Sequence, residues 1–114
     1  MDTEPVKSEF NAGIAKLMRI DRLHQSVHLA RSTNNFKLWI DSLEGLREEI
    51  CERMDNSLVK QANVFEDKIN LFLDGCYPQL LRRNLRDYGA FLAKLEYKFG
   101  LSMPDKESAG SVLK

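Results

Sequence analysis

The stretch PQLLRRNLRDYGAFLAKLEYKFG, residues 78–100, decides the fold class of this chain. Its apolar residues follow one another at alternating spacings of three and four, which places their side chains on one face of an α-helix. They are Leu81, Leu85, Tyr88, Leu92, Leu95 and Phe99. Proline suits the first turn of a helix and glycine suits the position just beyond its end. Pro78 and Gly100 therefore predict a helix over residues 78–99.

Upstream of this helix, the chain carries three more apolar stripes with helical spacing. Residues that favour turns and caps separate the stripes at Arg31–Asn35, Asp55–Ser57 and Asp74–Pro78. No stretch alternates apolar and polar residues for long enough to predict a strand. The predicted helices span about 6–31, 35–55, 57–74 and 78–99.

Four helices of this length predict an all-α fold, an antiparallel four-helix bundle that forms a single domain over residues 1–100. Residues 101–114 would be a C-terminal tail, loose or docked only by Leu101 and Met103. An alternative remains, because the apolar positions stay in phase from Ile40 to Phe72. One continuous central helix of roughly 40 residues would be about 60 Å long, and such a three-helix chain would need to dimerise.

The composition favours a globular protein of the cytoplasmic type. The 114 residues include 17 basic and 17 acidic groups, so no net charge attracts the chain to nucleic acid or anionic lipid. The N-terminus is acidic and polar rather than signal-like, and no apolar run approaches the roughly 20 residues that span a bilayer. We predict no membrane association and no cofactor. Cys51 and Cys76 are predicted to be reduced residues packed in the core.

Basic residues outnumber acidic ones in the fourth predicted helix. Arg82, Arg83 and Arg86 collect on its outward face near its N-terminal end, and Tyr97 follows three turns further on. The positive end of the helix adds to this charge. We predict that the three arginines bind acidic groups of a partner, with an exposed Phe91 or Tyr97 anchoring the contact.

The second predicted helix is acidic, and its carboxylates form one stripe. Glu44, Glu48 and Glu52 lie nearly opposite the apolar positions of this helix, so we expect them to face solvent. The arginines of the fourth helix would bind such groups on a protein partner or on a second copy of the chain.

Asp21, His24 and His28 have the spacing that places three side chains on one face of the first helix. Two histidines and one carboxylate are a candidate metal-ligand set. The facing helices offer almost no further ligands, so the preferred interpretation is that no metal is bound. His24 is then predicted to face the core and to bond a carboxylate or a hydroxyl.

Two further motifs resemble those of helical enzymes. Arg22-x5-His28, together with Arg19-x4-His24, resembles the arginine-to-histidine spacing of the HEPN ribonuclease superfamily. That resemblance implies a general-base role for His28 and a phosphate-binding role for Arg22.

Glu48-Glu49-x-x-Glu52 resembles the first acidic motif of MazG-like nucleotide pyrophosphohydrolases, which hold magnesium on acidic helix faces. The nearest candidate for the second motif of that family is Asp67-x-x-Asn70. A helix face opposite the apolar stripe should be solvated rather than line a pocket, which favours an acidic surface over a magnesium site.

The sequence therefore favours a non-enzymatic helical protein that acts through protein-protein interaction or self-association. The alternatives are a small phosphoester or nucleotide hydrolase, HEPN-like or MazG-like, and a nucleic-acid-binding accessory protein.

Overall fold

The structure is a computed structural model that describes residues 4–101, with side chains described from residue 13 onward. Its helices are α1 (Glu4–Thr33), α2 (Phe36–Ile50), α3 (Asn56–Asp74) and α4 (Pro78–Lys98). No strand occurs between residues 4 and 101, so the predicted all-α fold with four helices is confirmed. The antiparallel order of the whole bundle stays a prediction, and the predicted tail lies outside the described residues except for the buried Leu101. Within that range, no helix combines the length and apolar character needed to cross a membrane.

The chain breaks between α2 and α3, which excludes the continuous central helix. Met54 is extended, and the Asp55 carboxylate accepts a hydrogen bond from the backbone N–H of Leu58 at 2.8 Å. This bond caps the N-terminus of α3. A 3-10 turn at Cys51–Arg53 leads into the extended residue. Helix α2 therefore ends at Ile50 rather than near residue 55, because the cap requires non-helical backbone before α3 begins.

The buried core lies mainly between α2 and α4. Helix α1 packs on α2, α3 packs on α4, and α2 and α4 pack on each other. The two inner helices contribute most of the buried apolar side chains: Trp39, Leu43, Leu46 and Ile50 from α2, and Leu81, Leu85, Tyr88, Leu92 and Leu95 from α4. The outer helices α1 and α3 cover them from either side.

Helix α1 lies close to α2 because Gly45 carries no side chain. A Cβ atom at position 45 would lie only 2.9 Å from Cδ2 of Leu23 on α1. Nearby, the Lys16 ammonium lies 3.6 Å from carboxylate oxygens of both Glu49 and Glu52, and Arg19 lies 3.5 Å from Glu49. These pairs join the basic residues of α1 to the acidic end of α2.

Helix α3 is fixed on α4 by an aromatic cluster. The Phe65 ring lies 5.1 Å from the Tyr88 ring and 5.4 Å from the Phe91 ring, measured between centroids. The Asn84 amide donates a hydrogen bond to the Phe65 carbonyl at 3.0 Å, and the Tyr88 hydroxyl lies 3.1 Å from a Glu66 carboxylate oxygen. Phe91 is thus half-buried against α3, and its predicted role as an exposed anchor is wrong.

Both cysteines are exposed and free, so their predicted place in the core is wrong. Cys51 lies in the 3-10 turn after α2, and Cys76 lies in the turn between α3 and α4 with a φ of 57°. The α-helical stripe ends before each of them. Helical spacing therefore does not carry either thiol to the buried face.

Candidate functional site

An open cavity of about 600 Å³ lies between the C-terminal end of α1 and the first half of α4. We call it the arginine cavity. Its lining residues are His28, Arg31, Ser32, Asn34, Trp39, Arg82 and Arg86. They come from α1, from the turn that follows it, from the start of α2 and from α4. Three of the seven are arginines, so the cavity has the charge of an anion-binding site.

The tight turn between α1 and α2 builds one wall of this cavity. The Thr33 hydroxyl donates to the Leu29 carbonyl at 2.7 Å in the last turn of α1. Asn34 follows with a φ of 56°, a left-handed conformation that asparagine tolerates better than most residues. Asn35 then caps α2 by accepting from the Leu38 N–H at 3.1 Å. Only two residues therefore separate the helices, which brings Arg31 close to Trp39.

Two of the arginines are held in place by neutral groups. Arg82 Nη2 donates to the side-chain oxygen of Asn34 at 2.6 Å. The guanidinium carbon of Arg31 lies 5.9 Å from the centroid of the Trp39 ring, a cation-π distance. The ion pairs among the described side chains involve none of Arg31, Arg82 and Arg86. No carboxylate of the described residues therefore neutralises their positive charge by direct contact.

Trp39 adds a hydrogen-bond donor that lacks an acceptor. The residue is 2% exposed, and its indole Nε1–H is buried without a hydrogen-bond partner among the described residues. Indole nitrogen can only donate, and an unsatisfied buried donor costs about 1–3 kcal/mol. Trp39 lines both the arginine cavity and an adjoining cavity of about 280 Å³. The side chain of Trp39 therefore borders both cavities, while its Nε1 atom is buried beneath their surface.

The adjoining cavity continues along the groove between α1 and α4 and is also lined by His24. His24 Nε2 lies 2.6 Å from Oε1 of Glu96, a carboxylate residue of α4 that is 2% exposed. This hydrogen bond raises the pKa of His24 and outweighs burial, which lowers it; the negative charges of Glu96 and Asp21 raise it further. The prediction that His24 bonds a carboxylate is confirmed, but its side chain is 39% exposed rather than enclosed in the core.

The pair between His24 and Glu96 predicts a stability that falls as pH rises. A folded-state pKa above 6.5 means that the pair's contribution is fully present below pH 6.5 and is lost as pH passes the raised value. We expect the free energy of unfolding, measured by urea denaturation at roughly pH 6 and pH 9, to drop between the two in the wild type. Glu96→Gln should flatten this difference. An undiminished difference in Glu96→Gln would contradict the assignment, while His28→Gln serves as the matched histidine control.

The structure separates the predicted partner-binding residues of α4. Arg82 and Arg86 line the arginine cavity. Arg83 is exposed and borders only a smaller depression of about 230 Å³, which it shares with those two arginines. Tyr97 is 82% exposed and lines none of these three cavities. Its predicted exposure is confirmed, and its role as an anchor stays a prediction.

The predicted carboxylates of α2 are exposed, as expected for a solvated face. Asp41, Glu44 and Glu48 form what we call the acidic face. Partial burial raises the pKa of Glu44, and the nearby charges of Glu66, Asp41 and Glu48 raise it further. Glu52 differs from these residues because it lies beside Lys16. Negative charges therefore lie close together on this surface, and a cationic partner would reduce their mutual repulsion.

The hypothetical metal-ligand sets are not assembled. Between residues 13 and 101, no three histidine, cysteine or acidic side chains are grouped so that they could hold a metal ion. Asp21 accepts a hydrogen bond from Gln25, and His24 is bonded to Glu96 rather than to His28. The two residues of the second MazG-like motif, Asp67 and Asn70, are exposed on α3.

The HEPN-like residues are likewise divided between different surroundings. Arg19 pairs with Glu49 on α2, whereas His24 is bonded to Glu96 on α4. His28 lines the arginine cavity, but Arg22 does not. The structure therefore does not place Arg22 and His28 around one cavity.

Arg31, Asn34 and Trp39 were not predicted as functional residues. The run Arg31-Ser32-Thr33-Asn34-Asn35 was interpreted only as a helix break, and Trp39 only as part of an apolar stripe. The sequence signal for this site is the polar run at residues 31–35, which contains an arginine and precedes the only tryptophan of the chain by four residues.

No protein-family model matches this chain, and neither a curated protein nor a solved structure matches it at a significant level. No relative therefore assigns a role to the arginine cavity, and its chemistry has to be inferred from its own side chains.

Proposed function

We propose that this protein is a non-enzymatic interaction module of the cytoplasm that binds an acidic segment of a partner protein in the arginine cavity. The observation that carries the proposal is the gathering of Arg31, Arg82 and Arg86 around one cavity, where none of them contacts a carboxylate of the described residues. Isolated surface arginines usually meet local carboxylates or only water. Three arginines around one cavity offer an acidic segment several charge-assisted contacts at once.

The cavity is also prearranged for binding. Arg82 is tethered to Asn34, and Arg31 lies over the Trp39 ring, so each side chain has already given up part of its rotamer freedom. Immobilising a long side chain on binding otherwise costs about 0.5–1.5 kcal/mol. Binding energy concentrates on arginine, tryptophan and tyrosine residues that lie in pockets from which binding removes water. The arginine cavity is therefore a better candidate for the centre of an interface than exposed Tyr97.

A second copy of the chain is the other candidate partner, because the acidic face of α2 offers complementary charge. In α2 the apolar positions Trp39 and Leu43 face α4, so helical phase turns Glu48 away from it. The arginine cavity opens between α1 and α4 instead. A contact between the cavity of one copy and the acidic face of another joins two different surfaces, and such heterologous contacts extend into rings or chains. Sedimentation of the purified protein at several concentrations would reveal them.

Reversing charge in the cavity should abolish binding to an acidic peptide. We expect Arg82→Glu/Arg86→Glu to weaken binding of a fluorescent peptide of alternating aspartate and glutamate at least ten-fold, about 1.4 kcal/mol, in an anisotropy titration. The physical reason is that two attractive contacts become repulsive. Lys94→Glu is the matched control, since Lys94 is an exposed cation of the same helix that lines neither cavity.

The control variant should bind within two-fold of the wild type. Equal loss in both variants would mean that only the overall charge matters, and unchanged binding in the double variant would exclude the cavity as the binding site. Raising the salt concentration should weaken wild-type binding, because the contacts are between charges.

A further inference from the structure

We infer that the arginine cavity recognises a phosphoryl group on a serine or threonine side chain of the partner. This inference deepens the proposed function and rests on it. It is carried by three arginines that contact no carboxylate of the described residues, and by Trp39, which lines the same cavity and whose buried indole N–H has no acceptor among those residues.

The charge of the cavity matches a phosphoryl group better than a carboxylate. A carboxylate brings one negative charge and two acceptor oxygens. A phosphorylated side chain carries about −1.5 to −2 at neutral pH and three strong acceptor oxygens. Arg31, Arg82 and Arg86 bring three positive charges, and none of them is in contact with a carboxylate of the described part of the chain. A doubly charged ligand leaves fewer of these cations without a counter-charge.

The hydrogen-bond donors point to the same ligand. The side-chain oxygen of Asn34 accepts from Arg82, so its amide nitrogen remains a donor beside the cavity. Trp39 also lines the cavity, and its buried indole N–H, which has no acceptor among the described residues, can reach a ligand only if the ring shifts on binding. A group with three oxygens can bond two guanidinium groups and still present an oxygen to a third donor. A carboxylate has about four lone-pair sites on its two oxygens, which two bidentate arginines already occupy.

A protein side chain is favoured over a nucleic-acid backbone. Binding to a nucleic acid depends on a row of phosphate contacts along the strand. Here the unpaired arginines surround one cavity, the chain has no net charge, and the acidic face of α2 would repel an extended polyanion. A single phosphoryl group on a neutral or mildly acidic segment meets none of this repulsion.

Trp39 provides a direct readout because it is the only tryptophan of the chain. In a proton-nitrogen correlation spectrum its indole N–H gives a single side-chain signal. The experiment titrates the full chain with two peptides of identical sequence, one with a central phosphoserine and one with glutamate at that position. We expect the phosphopeptide to shift the indole signal and to bind at least ten-fold more tightly than the glutamate peptide.

Variants then test the cavity itself. Arg82→Gln and Arg86→Gln should each weaken phosphopeptide binding about ten-fold. Arg83→Gln is the matched control, because Arg83 is the sequence neighbour of Arg82 and does not line the arginine cavity. It should weaken phosphopeptide binding less than two-fold. Trp39→Phe keeps an aromatic ring but removes the donor, so it should weaken binding as well. Circular dichroism identifies any variant that fails to fold, and the arginine variants test the inference without Trp39→Phe.

The outcomes separate this inference from the proposed function. Equal binding of both peptides, sensitive to Arg82 and Arg86, would overturn the phosphoryl inference and leave the acidic-partner proposal in place. Binding of neither peptide would overturn both. Inorganic phosphate that binds as tightly as the phosphopeptide would overturn the assignment to a protein side chain. Nucleic-acid binding would replace this inference if a short single-stranded oligonucleotide bound the wild type more tightly than the phosphopeptide does. In that case Arg83→Gln and Arg86→Gln should weaken oligonucleotide binding to the same extent.

Discussion

Replacing Leu85 with alanine is expected to lower the free energy of unfolding by roughly 3 kcal/mol. Leu85 is fully buried on α4, and with Leu43 and Leu46 of α2 it forms part of the core beneath the cavity that His24 lines. Truncation removes buried apolar atoms and leaves a void that the closely packed helices can close only partly. A loss of this size is a large share of the stability of a small domain.

Leu80 offers the matched control on the same helix. It is 45% exposed, so Leu80→Ala removes the same atoms from a largely solvated position. We expect that change to stay within about 0.5 kcal/mol of the wild type. Both values come from urea denaturation followed by far-ultraviolet circular dichroism. Similar losses in the two variants would contradict the placement of Leu85 in the core.

Replacing His24 with leucine is expected to cost roughly 2–3 kcal/mol at neutral pH. The change leaves Glu96, which is 2% exposed, without the partner of its Oε1 atom. Its Oε2 atom already lacks a partner among the described residues. A buried carboxylate must then remain charged without compensation or take up a proton, and both are unfavourable. The expected loss is below that of a fully buried pair, because the His24 side chain is 39% exposed and water can reach the site.

The double variant His24→Leu/Glu96→Leu tests whether the loss of stability in His24→Leu comes from an uncompensated buried charge on Glu96 or from lost packing. Replacing both members of a buried pair by apolar residues is often neutral or stabilising, so we expect the double variant to recover most of the loss. His28→Leu is the control for the substitution itself, since His28 is exposed one turn further along α1. A double variant as unstable as His24→Leu would show that the Glu96 charge is not the cause.

The number of helices followed from spacing alone, but the end of α2 did not. The apolar stripe continues through Met54, so periodicity extends the helix to residue 55. The structure ends it at Ile50, because the Asp55 side chain bonds the Leu58 N–H and fixes non-helical backbone before α3. A local hydrogen bond thus outweighs the hydrophobic pattern. For the same reason Cys51 lies beyond the end of α2, whereas Cys76 lies in the turn between α3 and α4.

The candidate site was predictable only on α4. Arg82 and Arg86 share a helix face with each other, which spacing reveals. Arg31 and Trp39 reach the same cavity only because a two-residue turn reverses the chain after α1 and α2 packs on α4. The carboxylate partner of His24 was equally hidden, because Glu96 lies at the edge of an apolar stripe and 72 residues further along the chain. Contacts between distant segments depend on tertiary packing, which one sequence does not show.

The central packing of α2 on α4 also bears on how the chain reaches its fold. Helices α1 and α2, like α3 and α4, are consecutive and joined by short turns, so each hairpin can close with little loss of chain entropy. The residues of α2 and α4 that contact each other are instead separated along the chain by the whole of α3. Proteins whose contacts join distant residues fold more slowly than those with local contacts. We therefore expect the two helix pairs to form quickly and then to dock in a slower step. That step would complete the core and the arginine cavity together.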